Sequence, residues 1–279
     1  MVKSQFEKKF GEDCGIVGVY DPNGDVSRLA FYGIYALQHR GQESAGIASA
    51  DGYKIKLRTG MGLVTHVFKD EDLDYLTGDT AIGHTRYSTT GTSNIKNAQP
   101  MIVEGENFKL AIAHNGNVVN SLELKRELEE LGQEFNTSSD SEVIAKIVAS
   151  APANTWEGRI AYLMRKVQGA YSLTLMTEKE LIAVRDPLGV RPLCFGSVNG
   201  GWIIASESCA LDNVGAKFVR EVNPGEAIMF DSKGFKSIYQ KDNEKCSFCV
   251  FEHIYFARPD SELDGKLVYK SRLLMGKEL

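Results

Sequence analysis

Three helix-forming segments follow one another between residues 120 and 167, and most of what flanks them is short, strand-like and broken by turns. Asn120 opens the first, which runs to Leu131, with Glu123 at its third helical position and Gly132 just past its end. Thr137-Ser-Ser-Asp-Ser141 precedes a second over residues 142–149. Asn154 precedes a third over 155–167, with Trp156, Ile160, Leu163 and Met164 as its apolar stripe. Helices grouped in this way, between strands that pair through tight turns, point to antiparallel sheets with helices outside them. The expected class is α+β.

The strands are legible on both sides of this block. Cys14 heads the apolar run Gly15-Ile-Val-Gly-Val-Tyr20, which reads as a buried strand. A helix is expected over residues 26–40, where Leu29, Ala30, Ile34 and Leu37 recur near helical spacing and Gly41 is placed to end it. Runs over 45–50 and 53–58 flank Asp51-Gly52, a strong hairpin signal. In the second run Tyr53, Ile55 and Leu57 alternate with Lys54, Lys56 and Arg58, so one face is wet. Residues 80–87 and 109–114 read as two further strands, each ending in a polar cluster. After the helices, strands are expected over 170–177, 181–184, 193–197, 202–206, 227–230 and 235–239, with Gly200-Gly201 and Ser232-Lys-Gly234 as turns.

Composition excludes several classes. A net charge of −5 over 279 residues argues against nucleic acid or an anionic membrane as partner. No apolar run approaches the roughly 18 residues needed to span a bilayer. Residues 1–13 are polar and patternless, with no secretory signal. Five cysteines do not suggest a disulfide scaffold, so a reducing, cytoplasmic setting is expected. A polar bridge at 242–245 precedes Cys246-Ser-Phe-Cys249. Leu267, Val268, Leu273 and Leu274 look like one face of a helix that begins a further domain, so the chain reads as part of a longer protein.

Several residues could carry chemistry. Were the peptide bond before Cys14 cut, that residue would hold a thiol and a free α-amine of pKa roughly 7.7–8.0. Nucleophile and base would then share one residue; the competing reading is a small buried hydrophobe. Arg40, in Gln38-His-Arg-Gly-Gln42, is either a charge at a helix C-terminus or a site residue. Arg86, in Gly83-His-Thr-Arg-Tyr87, offers a planar fork for a carboxylate, or forms a surface ion pair. Asn115-Gly116 is a turn or an oxyanion hole, built from a side-chain amide and a glycine N–H. Asp140 is a helix-capping or first-turn residue, or the partner of a substrate ammonium. Cys246-x-x-Cys249 has metal or redox spacing but supplies only half of a four-ligand site.

Taken in order, Cys14-Gly-Ile-Val-Gly18, Leu37-Gln-His-Arg-Gly-Gln42, Gly83-His-Thr-Arg-Tyr87, His114-Asn-Gly116, Ser139-Asp-Ser-Glu142, Arg185-Asp-Pro-Leu-Gly-Val-Arg-Pro192 and Ala205-Ser-Glu-Ser208 resemble the motifs of class II glutamine amidotransferase domains. Phe251-Glu-His-Ile-Tyr-Phe-Ala-Arg-Pro-Asp-Ser261 is similar to the junction at which the amidophosphoribosyltransferase family passes from its amidotransferase to its phosphoribosyltransferase domain. The resemblance implies an N-terminal-nucleophile hydrolase fold, a four-layer α/β/β/α sandwich with two antiparallel sheets. It implies a propeptide over residues 1–13, a glutaminase domain over 14–245, and a junction with the start of a phosphoribosyltransferase domain over 246–279. Cys14 would be the nucleophile, Asn115 and Gly116 the oxyanion hole, and Arg40 a further catalytic-site residue. Arg86 and Asp140 would hold the carboxylate and ammonium of glutamine, with Tyr87 and His84 beside them. Cys249 would be one ligand of a [4Fe–4S] cluster completed elsewhere in a longer chain. Phosphoribosylpyrophosphate and Mg²⁺ would belong to the second domain, and a homo-oligomer is expected.

Overall fold

The computed structural model describes residues 14–87, 94–241 and 246–279. The expected propeptide and the polar bridge at 242–245 lie outside them. In chain order the strands are β1 (Gly15–Tyr20), β2 (Ser44–Ala50), β3 (Ile55–Met61), β4 (Thr80–Arg86), β5 (Met101–Glu104), β6 (Lys109–Val118), β7 (Gly169–Met176), β8 (Leu181–Arg185), β9 (Cys194–Val198), β10 (Gly201–Ala205), β11 (Lys217–Glu221), β12 (Glu226–Asp231) and β13 (Gly234–Gln240). The helices are α1 (Val26–Ala36), α2 (Val64–Val67), α3 (Asp70–Tyr75), α4 (Ser121–Glu130), α5 (Asp140–Ala149), α6 (Trp156–Lys166), α7 (Ser208–Asn213) and α8 (Val268–Glu278).

Among the described residues the strands form a seven-stranded sheet, β11-β9-β10-β1-β4-β2-β3, and a six-stranded sheet, β13-β12-β8-β7-β6-β5. The pairings within both are antiparallel. Successive residues of a strand face opposite sides, and the core divides accordingly. Val17, Val19 and Ala81 pack outward against Ala30 and Ile34 of α1. Leu110, Ile112 and Leu173 pack outward against α5 and α6. Ile16, Ile82, Ala111 and Ala113 meet between the sheets. The result is the expected order of helix, sheet, sheet, helix.

Three local departures from the sequence reading bear on function. The helix expected over residues 26–40 stops at Ala36, and 37–41 continue as tight turns, with the Arg40 and Gly41 N–H groups donating to Leu37 and Gln38 carbonyls. Strand β6 does not end at His114; it runs through Asn115 and Gly116 to Val118, paired with β7 throughout, so Asn-Gly is not a turn here. Tyr53 lies in the β2–β3 loop, 92% exposed, because Asp51 Oδ1 accepts from the Tyr53 and Lys54 N–H groups and delays the strand to Ile55.

Beyond β13 the chain returns to the seven-stranded sheet's end of the molecule. Residues Glu252–Phe256 make a wide helical turn with Glu252 buried, followed by a short hairpin and α8. Of the apolar residues expected to share a face there, Val268 is buried and Leu273 and Leu274 are exposed.

Candidate active site

Cys14 stands one residue before β1, buried, with its thiol donating to the Tyr87 carbonyl at 3.6 Å. By alternation it projects to the inter-sheet side, as Ile16 does. Its own carbonyl accepts from Arg40 Nε at 3.0 Å. Arg40 is 1% exposed, a position set by tertiary pairing and not by a helix terminus. Its Nη1 and Nη2 make a fork on Glu252, at 3.0 and 2.8 Å, and Nη1 also meets Glu207 Oε1 at 2.5 Å. Glu207 accepts as well from His39 at 2.8 Å, from the Arg258 N–H at 2.8 Å and from the Ser261 hydroxyl at 2.6 Å. Burial opposes its charge, yet Arg40 and His39 hold its carboxyl well below the ordinary range. Glu207 and Glu252 were not singled out as site residues from sequence. The signal available was an acid inside Ala205-Ser-Glu-Ser208 and one inside the junction segment.

Asn115 faces between the sheets, on the side of β6 that carries Ala111 and Ala113. It is 0% exposed, and neither Oδ1 nor Nδ2 has a hydrogen-bond partner among the described residues. Gly116 sits at φ 152°, and a Cβ there would lie 2.0 Å from the Ala170 carbonyl oxygen, so only glycine fits. The neighbouring His114 is held at its backbone N–H by Gln99 Oε1, at 2.8 Å, and at Nδ1 by the Ser141 hydroxyl, at 3.0 Å. His84 reaches across from β4, with Nε2 3.1 Å from the His114 carbonyl. Facing an acceptor, Nε2 must carry the proton. Burial pushes the His84 pKa down to about 3, so the ring is neutral. His84, expected beside the substrate, is fully enclosed and ties one sheet to the other. Sequence alternation places it on a strand but not in that clasp.

Arg86 is buried and pairs with Glu43 at 2.6 Å, so its ion pair is not a surface one. Asp140 opens α5 under the cap of Ser139, whose hydroxyl accepts from the Ser141 N–H. Asp140 Oδ2 accepts from the Val118 N–H at 2.9 Å, and Oδ1 lies 3.8 Å from His114 Nδ1. This acid therefore docks α5 beside the Asn115–Gly116 stretch of β6. Tyr87 touches Cys14 through its carbonyl. Cys249 lies apart, partly exposed near Phe248 and His253, and Cys246 is exposed. The Cys194 and Cys209 thiols are buried, donating to the Ala205 carbonyl and Glu207 respectively. Four cysteine ligands for a [4Fe–4S] cluster are thus not assembled among the described residues.

Two antiparallel sheets enclosed by helices, with a cysteine at the head of a central strand, define a class II amidotransferase of the N-terminal-nucleophile hydrolase fold. The chain belongs to the glutamine amidotransferase domain family, whose model matches residues 56–261. Within it the chain is similar to amidophosphoribosyltransferases. It is 47% identical over 271 residues to that of Archaeoglobus fulgidus, covering 95% of this chain and 59% of the relative. It is 42% identical over 273 residues to that of Bacillus subtilis, covering 98% and 57%. It superposes on the Bacillus subtilis glutamine phosphoribosylpyrophosphate amidotransferase complexed with ADP and GMP with a TM-score of 0.87 at 41% identity, over 95% of this chain and 57% of that one. The chain therefore spans somewhat more than half the length of these relatives.

Proposed function

We propose that this chain is the glutamine-hydrolysing part of an amidophosphoribosyltransferase. The observation that carries the chemistry is the Asn115 amide, fully buried, without a hydrogen-bond partner among the described residues, on the inter-sheet face into which Cys14 also projects. An unpaired buried amide is costly, and a site that stabilises a developing oxyanion has a use for it.

The Cys14 thiolate attacks the carboxamide carbon of glutamine. The oxygen takes up charge against Asn115 Nδ2 and the Gly116 N–H. As the tetrahedral intermediate collapses, nitrogen leaves with a proton as ammonia, and a thioester remains. Water then attacks the thioester and releases glutamate and the thiol. Arg86 holds the α-carboxylate and Asp140 the α-ammonium. Burial of Arg86 against Glu43 supports a defined direction for its fork. The amine of Cys14, once residues 1–13 are removed, acts as the base; an amide nitrogen, its lone pair in resonance, cannot.

Ammonia would pass to a phosphoribosyltransferase domain and displace pyrophosphate from phosphoribosylpyrophosphate, with Mg²⁺ bound there, in purine synthesis. A cytoplasmic homo-oligomer is the expected setting. Among the described residues no helix is long and apolar enough to cross a membrane. Cys249 is retained as a candidate cluster ligand in the longer protein, and no step is routed through a cluster.

The test follows intact mass against ammonia release. Cys14→Ala and Cys14→Ser should both lose glutaminase activity, and Cys14→Ala should keep residues 1–13. Full activity in protein still carrying those residues would refute the amine as base. Activity in Cys14→Ala would refute the nucleophile.

A further inference from the structure

Arg40 Nε donates to the Cys14 carbonyl at 3.0 Å, and its guanidinium is committed to two acids from distant parts of the chain. Glu207 comes from the turn that leads β10 into α7. Glu252 comes from the segment that leaves the amidotransferase sheets. The two acids are linked again behind Arg40. Glu207 Oε2 accepts from the Arg258 N–H and the Ser261 hydroxyl, which lie six and nine residues beyond Glu252. Thus the 252–261 segment grips the acid-arginine cluster at both ends. Arg191 Nη1 adds a weaker approach to Glu252 at 3.8 Å. Burial of all three charges makes the arrangement rigid in a specific sense. A fork on a carboxylate fixes the guanidinium plane, and breaking one member leaves a buried charge without full compensation. The Nε–H therefore has one direction, toward the Cys14 carbonyl.

We propose that Glu207 and Glu252 are positioning residues for the nucleophile. They hold Arg40 so that it fixes the Cys14 backbone, and Glu252 makes that geometry conditional on the docking of the 252–261 segment. Each acid acts through its contact with Arg40. Displacing either acid turns Arg40 and shifts the Cys14 backbone it holds, which moves the thiol relative to Asn115.

This rests on Cys14 as the nucleophile, and the experiment separates the two claims. Glutamine hydrolysis is measured in the full chain for wild type, Glu252→Gln, Glu207→Gln, Arg40→Lys and Glu252→Gln combined with Arg40→Lys. Rates are normalised to Cys14 sites titrated with a diazoketone analogue of glutamine. A misplacement near 1 Å costs up to about 100-fold, so each acid-to-amide change should lower kcat about 10–100-fold. KM should stay within about twofold, because Arg86 and Asp140 are untouched. Once Arg40 is changed, Glu252→Gln should add little, since the acid acts through the arginine. Ser261→Ala, which removes one hydrogen bond from Glu207, carries the test where Glu252→Gln does not fold; it should lower kcat at constant KM. Wild-type kcat per titrated site in Glu252→Gln or Ser261→Ala, or fully independent losses in the double variant, would overturn the positioning role. If Cys14→Ser is inactive while Glu252→Gln is at wild-type kcat, only this proposal falls. If Cys14→Ser hydrolyses glutamine normally, the nucleophile assignment falls first.

Discussion

Replacing Asn115 with alanine should separate function from stability more sharply than any other single change. The side chain is completely buried, and both amide atoms lack hydrogen-bond partners among the described residues. Leaving polar atoms unpaired in the interior costs about 1–3 kcal/mol. Removing the amide relieves that cost but gives up packing, roughly 0.5–1 kcal/mol for a void of a few tens of cubic ångströms. The balance predicts a variant between neutral and about 2 kcal/mol more stable. An oxyanion donor, by contrast, contributes about 10²–10³ in kcat. Asn115→Ala should therefore unfold at equal or higher urea concentration while kcat for glutamine falls by that factor and KM stays within about threefold. Asn115→Asp keeps the shape and should be inactive and less stable, because it buries an acid. The assays are urea denaturation followed by fluorescence and ammonia release under saturating glutamine. A loss of more than about 2 kcal/mol with kcat intact would show that Asn115 is a strut between the sheets, and the oxyanion reading would be wrong.

The neighbouring glycine should behave in the opposite way. Gly116→Ala places a Cβ 2.0 Å from the Ala170 carbonyl, so it should cost more than about 2 kcal/mol, and a normal denaturation midpoint would contradict that geometry. Arg86→Lys keeps charge but loses the fork, so KM for glutamine should rise with little change in kcat; equal activity on an analogue lacking the α-carboxylate would count against the role. His84 has its folded pKa lowered from 6.5 to about 3, so it is protonated in the unfolded chain but not in the folded one between those values. Its contribution is therefore complete above pH 6.5 and lost as pH falls toward 3, about 2 kcal/mol between pH 7 and pH 5. His84→Gln should remove that share of the pH dependence in urea titrations, whereas an unchanged slope would place the titration elsewhere.

Local chemistry made a good part of this molecule readable without coordinates. Period-2 alternation, Asp-Gly and Gly-Gly turns and grouped helical stripes specify elements because each depends on residues only a few positions apart. Hence the hairpin at Asp51-Gly52, the helices near 121–130 and 156–166, and the α+β class follow from the chain itself. Ordered motifs also singled out Cys14, Asn115, Gly116, Arg86 and Asp140 as a set. Tertiary structure decided what those residues face. Asn-Gly, an ordinary turn signal, became the middle of β6 because β7 pairs with it residue for residue. His84 became a neutral clasp because the second sheet brings the His114 carbonyl to its ring. Arg40 lies beyond the end of its expected helix, where two carboxylates, 167 and 212 residues away in sequence, enclose it and neutralise its charge. No local pattern encodes such a pairing. Its energy exists only when both acids are buried against the same guanidinium, a condition met by the fold and by nothing shorter.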